Sequence, residues 1–481
     1  MGIEIGGGIE RINGTELTYD AFAETFLAKN LPVVLTHLTD DWRARRDWVD
    51  ENGCPNLQFF VTHFGKSKVH VADCDTREFT DQKRVEMSVA EFVEHWIEDS
   101  TEGKLKDASY CGKAKSNLYL KDWHFVKEYP QYIAYRTPPL FGDDWLNIYL
   151  DSYHMHEDRD TFQKYDQISC SDYRFVYMGA KGSWTPLHAD VFRSYSWSAN
   201  VCGRKRWLFL PPSQSHYVFD RYMKNCVYDI FEDVDDTKFP GFKKTTWLEC
   251  IQEPGEIIFV PSGWYHQVYN LEDTISINHN WFNAYNLSRV WDLLWKDYKD
   301  TEESIEDIRD ICDDFEAICQ RNLAANTGMN FIDFFMFMSR FCLGNVVLLH
   351  TCCEESKPEN ASSSAMAKNL ASNLSGIREI MLTMKSVDGL AVNRVYLDLK
   401  ATMEDPHFLK FCRDMGRTYT MIHNDDDEEE VLYWEEVSLV TGLTDYKTEI
   451  CSPEDVVDMI DRARSCLCLH ECQKKIVTVR V

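Results

Sequence analysis

Seven short runs between residues 31 and 282 limit what this chain can fold into: LPVVLTHL, NLYLKDW, YRFVYMG, SYSWSANVC, KRWLFLPP, GEIIFVPSG and TISINHNWF. All are of strand length and rich in aromatic or β-branched residues, and several are bounded by Gly, Pro, Asn or Asp. The first kind of residue suits a pleated, half-buried surface, and the second supplies the turns between strands. Many short strands in series close into a barrel or a double-sheet jelly roll, with helices packed outside.

Helical signals lie among and beyond these runs. SVAEFVEHWIED places Val89, Phe92, Val93 and Trp96 at helical intervals behind Ser88, a suitable N-cap. From residue 287 onward, LSRVWDLLWKDYKD and NFIDFFMFMSRFCLGNVVLLH keep helical or largely apolar spacing. We expect a first domain over 15–286, a helical extension over 287–350, a flexible Ser/Asn/Ala-rich linker over 351–376 and a further helical segment over 377–423. Residues 424–481 read as an acidic solvated loop, NDDDEEE, followed by a tail with weak signals.

Composition narrows the class. With 51 basic against 79 acidic residues the net charge is −28, which argues against non-specific nucleic-acid binding. The same charge is compatible with a basic protein partner, or with solubility alone. A length of 481 residues and 44% hydrophobic content allow one large core and a smaller unit. No run of about 18 apolar residues suggests a membrane span. The N-terminal MGIEIGGGIERING has no secretory character, and Gly6 stands where a myristoylation signal needs Ser or Thr. The 17 scattered cysteines are then read as reduced thiols of a cytoplasmic or nuclear protein. Their tightest group, Cys466, Cys468 and Cys472 with His470, lacks the C-x-x-C spacing of a zinc site.

Three His-x-Asp triplets occur, and only one has the right surroundings. In a strand, residues i and i+2 share a face, so the triplet can aim an imidazole and a carboxylate at one ion. His156–Glu157–Asp158 lies in a charged stretch and His423–Asn424–Asp425 abuts the acidic run, so both read as surface. His188 and Asp190 sit between the turn-like AKGSWTP and an aromatic strand. A ferrous site of two His and one carboxylate keeps three positions open for other ligands, and it needs a second His from a later strand. His216 lies in a polar loop. His279 shares the apolar face of TISINHNW with Ile275, Ile277 and Trp281 and reads as a core histidine. His266 follows a Pro-Ser-Gly turn that can aim it into a barrel mouth, so it is the favoured third ligand.

These residues carry a family resemblance. The pattern HAD, GRKRWLF, EPGEIIFVPSGWYHQV and ISINHNW, over roughly residues 30–285, resembles the JmjC (jumonji C) 2-oxoglutarate-dependent oxygenases. The resemblance implies a mixed α+β fold: a double-stranded β-helix, the cupin-like jelly roll, with surrounding helices and a helical C-terminal extension. It implies Fe(II) held by His188, Asp190 and His266, with 2-oxoglutarate and O2 as cosubstrates. Lys205 matches the lysine that meets the far carboxylate of 2-oxoglutarate, and Thr185 and Tyr119 match hydroxyls at the same end. A lysine supplies a point charge and three donors there, and hydroxyls add donors without charge. Asn280 and Asn278 match polar positions on the last strand of the cosubstrate pocket; Ser198 falls where some relatives have Asn and is assigned no role. Longer strings around these motifs resemble the single-domain hydroxylases of the family, which implies lysyl hydroxylation of a translation release factor. An Nε-methyl-lysine demethylase and a non-enzymatic scaffold are the alternatives. Some relatives dimerise through C-terminal helices, so a homodimer is a further expectation.

Overall fold

The computed structural model describes residues 3–102, 117–155, 170–232, 234–355, 361–385, 397–423 and 449–478. The chain divides into two units, Met1–Pro138 with Tyr173–Trp281, and Pro139–Asp172 with Phe282–Val481.

The first unit contains the strands β1 Glu4–Gly8, β2 Arg11–Asn13, β3 Val33–Thr36, β4 Lys68–Glu78, β5 Asp81–Ser88, β6 Leu118–Trp123 and β7 Arg174–Gly179. It continues with β8 Trp184–His188, β9 Tyr195–Cys202, β10 Lys205–Leu210, β11 Thr246–Gln252, β12 Ile257–Val260, β13 Tyr265–Asn270 and β14 Thr274–Trp281. They form two sheets, in the orders β1-β11-β10-β13-β8 and β2-β3-β12-β9-β14-β7-β6-β4-β5. From β7 onward the chain passes back and forth between the sheets, which is the expected double-stranded β-helix. One crossing depends on Gly203, which has φ +73°. A Cβ built there would lie 2.3 Å from the Asp273 carbonyl oxygen, so only glycine lets the two chain segments pass.

Sheet pleating sorts the side chains. Trp207, Phe209, Ile258, Val260, Trp264 and Val268 form an apolar core cluster at one end of the barrel. Each large side chain so buried contributes roughly 1.5–3 kcal/mol. Strand β14 is buried on both faces, with Ile275, Ile277, His279 and Trp281 outward. Its outer face packs under N-terminal aromatics: Trp281 and Tyr195 meet Phe259 at tilted angles, and Phe259 meets Phe22 edge-on at 5.3 Å. The alternate residues Thr274, Ser276 and Asn280 are buried and Asn278 is half-buried, so the polar face of this strand also turns away from bulk water.

The second unit is helical. Its main helices are Leu287–Ser304, Phe315–Thr327, Phe331–Glu355, Ala361–Met384, Pro406–His423 and Pro453–Thr478. By length and composition Phe331–Cys352 could cross a membrane, but 83% of its apolar window is buried inside the protein, as in the central helix of a bundle.

Three boundaries differ from the sequence expectation. Residues 139–172 cluster with the helices and not with the barrel. The stretch read as a flexible linker over 351–376 is helical from Ala361, because Leu370, Leu374, Ile377 and Met381 recur at helical spacing and are buried. The tail also has structure: Glu449–Ile450 pairs with Leu397–Asp398, and Val456, Met459, Ile460 and Ala463 bury one face of the last helix. The acidic run 424–430, His156 and the side chains of Cys466, Cys468, His470 and Cys472 lie outside the described residues.

Candidate metal centre

The antiparallel register of β8 and β13 sets His188 directly opposite His266, with ring centroids 4.3 Å apart. Asp190 follows His188 at the mouth of a tight turn, Val191–Arg193, in which Phe192 and Arg193 both hold left-handed backbone at φ 56° and 48°. Such conformations cost non-glycine residues energy and persist where surrounding contacts impose them. Here Ser262 Oγ donates to the Arg193 carbonyl, and Asn280 Nδ2 donates to Ser194 Oγ at 3.2 Å. One ligand atom from each of His188, Asp190 and His266 lies within 4.8 Å of the others, the one such group of at least three among the described residues.

Hydrogen bonding fixes the tautomers. His188 Nδ1 donates to the Pro186 carbonyl at 2.8 Å, and His266 Nδ1 donates to the Trp264 carbonyl at 3.1 Å. A carbonyl only accepts, so both Nδ1 atoms carry hydrogen and both Nε2 atoms are left as donors to a metal. Burial, with a smaller push from the charge of His188, drives His266 down to about 4 against the opposing pull of Asp190. Its imidazole is therefore neutral at physiological pH, as a metal ligand must be. The rings of Trp207 and Phe209, 5.6 and 5.8 Å from that of His266, wall it off. Two imidazole nitrogens and one carboxylate oxygen, converging at the end of a barrel, fit the facial set that holds non-haem ferrous iron.

Ser196 adds a partner that sequence reading missed. Its Oγ donates to Asp190 Oδ2 at 2.7 Å. The signal was the alternation S-Y-S-W-S, which puts Ser194, Ser196 and Ser198 on one face. We expect Ser196→Ala to weaken Fe(II) affinity by about tenfold, as loss of an outer partner does. A metal titration of 2-oxoglutarate turnover measures it, and an unchanged half-saturation would remove this role.

The residues that the resemblance assigns to the cosubstrate stand on strands of the barrel: Tyr119 on β6, Thr185 on β8, Lys205 on β10, Asn278 and Asn280 on β14. Lys205 is 2% exposed, and its Nζ donates to Ser276 Oγ at 2.6 Å. Burial first, and the nearby charge of Lys121 second, lower Lys205 to about 7. Lys205 stands opposite Asn270 in register, and the hydroxyl of buried Tyr119 hydrogen-bonds Asn270. Thr185 is half-buried on β8, opposite Val268. Asn278 Nδ2 donates to Ser276 Oγ at 3.2 Å and stands opposite Ser198, whose buried hydroxyl has no protein partner. His279 is the core histidine expected: it lies on the outer face of β14, with Nε2 2.5 Å from the Tyr135 hydroxyl and its ring 4.1 Å from Trp197. His216 lies in a 3-10 turn, Pro212–Val218, apart from the triad.

A family model described as "Cupin-like domain" matches residues 19–286, more than half of the chain and all of the site. The chain belongs to the cupin-like JmjC oxygenase family. It is 72% identical over 462 residues to "Arginine-specific demethylase JMJ20" of Arabidopsis thaliana, which covers 96% of this chain and 97% of that one. It is 41% identical over 352 residues to "2-oxoglutarate and iron-dependent oxygenase JMJD4" of Danio rerio, over 72% and 77% of the two chains. The Homo sapiens protein of the same name is 36% identical over 342 residues, 70% and 76% of the two chains. The JmjC barrel thus brings His188, Asp190 and His266 together as sequence reading expected, sets Ser196 against Asp190, and gives Lys205 the Ser276 hydroxyl as a partner.

Proposed function

We propose that this JmjC oxygenase uses Fe(II), 2-oxoglutarate and O2 to hydroxylate a lysine side chain of a translation release factor. The observation that carries the oxygenase chemistry is the convergence of His188, Asp190 and His266 in a barrel that also buries Lys205, whose one described hydrogen bond is to the neutral Ser276 hydroxyl. When bound, the iron and its keto-acid partner supply an oxidant that replaces C–H by C–OH, while 2-oxoglutarate becomes succinate and CO2.

The protein's own part is positional. The two Nε2 atoms and Asp190 would hold the metal. Lys205, with Thr185 and Tyr119, would meet the far carboxylate of the keto acid. Trp207 and Phe209 exclude water from the His266 side. A scaffold role has no support here, because the ligand set and the cosubstrate lysine are all present. A net charge of −28 is compatible with steering toward a basic segment around the target lysine of a release factor. Such a partner is cytoplasmic, in keeping with the described cysteines, all of which are free.

A second reading is demethylation of N-methylarginine, favoured by the name of the Arabidopsis relative. It uses the same step on a different carbon: a hydroxylated N-methyl group breaks down to formaldehyde and the demethylated guanidine N–H. Nε-methyl-lysine demethylation follows the same route. Mass spectrometry separates them. Incubation with Fe(II), 2-oxoglutarate and release-factor fragments is expected to add one oxygen to a lysine carbon. Loss of a methylene unit and release of formaldehyde from methylated arginine or lysine peptides, with no oxygen retained, would replace this reading by the second.

A further inference from the structure

Lys121 is a second fully buried lysine in the barrel. It stands on β6 two residues after Tyr119, so the two side chains leave the strand on one face. The ammonium lies 5.0 Å from the centroid of the Tyr119 ring. It donates to Gln82 Oε1 at 2.8 Å, its one described hydrogen bond. Gln82 in turn donates to the carbonyl of Trp184 at 3.1 Å, the residue before Thr185.

An ammonium has three donors, so Lys121 and Lys205 each bring three N–H groups and each has one neutral oxygen partner among the described residues. Among the described residues no carboxylate is hydrogen-bonded to either. Asp122, adjacent to Lys121 in sequence, is already engaged: it accepts from the Tyr177 hydroxyl at 2.6 Å and from Arg84 at 2.9 Å. A buried ammonium with unsatisfied donors is costly unless an anion completes it. Tyr119 links the two lysines, with Lys121 over its ring and its hydroxyl on Asn270, the register partner of Lys205. Lys121 therefore touches Tyr119, is joined through Gln82 to the backbone beside Thr185, and lies near enough to Lys205 for its charge to act on it.

We propose that Lys121 is a second cationic anchor for the distal carboxylate of 2-oxoglutarate, gripping it together with Lys205. The inference rests on the oxygenase reading and adds a binding residue to it. A purely structural alternative is that Lys121 only clamps Gln82 beneath Trp184, and the choice of cosubstrate separates the two.

The test uses the full chain loaded with Fe(II) under anaerobic conditions and measures binding of two keto acids by calorimetry. 2-Oxoglutarate has the distal carboxylate; 2-oxopentanoate has the same chain length without it. Lys121→Met is expected to weaken 2-oxoglutarate by about 10- to 100-fold and 2-oxopentanoate by less than about twofold, since only the first loses a charged partner. Gln82→Glu, which gives Lys121 a permanent carboxylate and keeps the lysine, is expected to weaken 2-oxoglutarate selectively as well. It also covers the case in which Lys121→Met fails to fold. Equal weakening of both acids, or no change in either, would overturn the anchor and leave the oxygenase reading intact. A wild-type protein that binds neither acid would overturn that reading, and the anchor with it.

Discussion

Asp190→Ala abolishes 2-oxoglutarate turnover, by about 1,000-fold or more, and leaves the fold standing. Loss of a partner behind a ligand costs roughly 10- to 100-fold, so loss of a ligand itself costs more. Asp190 is the one carboxylate in the triad, and without it the metal keeps only two neutral imidazoles. Stability should change little. The side chain is half-buried, and the turn that follows is closed by a backbone bond from Arg193 N–H to the Asp190 carbonyl, which alanine retains. What is lost is the hydrogen bond from Ser196, worth about 1 kcal/mol, too little to unfold the protein. His266→Ala would also end activity, but it empties a buried site beside Trp207 and Phe209 and so confounds chemistry with packing. Decarboxylation of 2-oxoglutarate, read beside a thermal melt of the metal-free protein, decides it. Turnover retained by a folded Asp190→Ala protein would remove the assigned metal centre.

The triad was legible because strand geometry is written in the sequence with a period of two. His188 and Asp190 flank one residue at a strand end, and the faces of TISINHNW separate His279 from Ser276 by simple alternation. The jelly roll followed from the succession of short strands. Partners across strands were not legible, because they depend on register. Nothing in SYSWSANVC says that Ser196 meets Asp190, or that Ser276 receives the Lys205 ammonium. Lys121 was within reach, since it repeats the face of Tyr119, but a lysine in a strand reads first as a solvent-facing residue. The linker over 351–376 was misread for another reason. Its Ser and Asn content hid a helical apolar stripe whose burial comes from neighbours far away in sequence. The placement of 139–172 with the helices is likewise tertiary and has no local signature.

Lys205→Met raises the KM for 2-oxoglutarate by about 100-fold, the scale on which truncating one partner of a buried charge pair weakens binding. The wild-type enzyme adds a pH signature. Burial, then the charge of Lys121, puts Lys205 at about 7 in the free protein, and burial puts Lys121 at about 8. The groups around the pair are mixed in sign: Ser276 and Asn270 are neutral, Arg84 disfavours a charge on Lys121, and Asp122 and Asp81 favour one. Both lysines are protonated at pH 6, and the carboxylate meets ready ammonium groups. As pH rises through about 7, Lys205 gives up its proton in the free enzyme while the bound anion holds it on. Binding must then recruit a proton, so KM climbs with pH, by at most about tenfold per unit for a single group. Lys205→Met removes that proton and should flatten the profile between pH 6 and about 8, leaving only the shallower rise due to Lys121. Steady-state KM for 2-oxoglutarate across this range tests both statements. A wild-type KM that stays level or falls with rising pH would mean that Lys205 keeps its charge throughout. Burial would then be offset by a partner other than the cosubstrate.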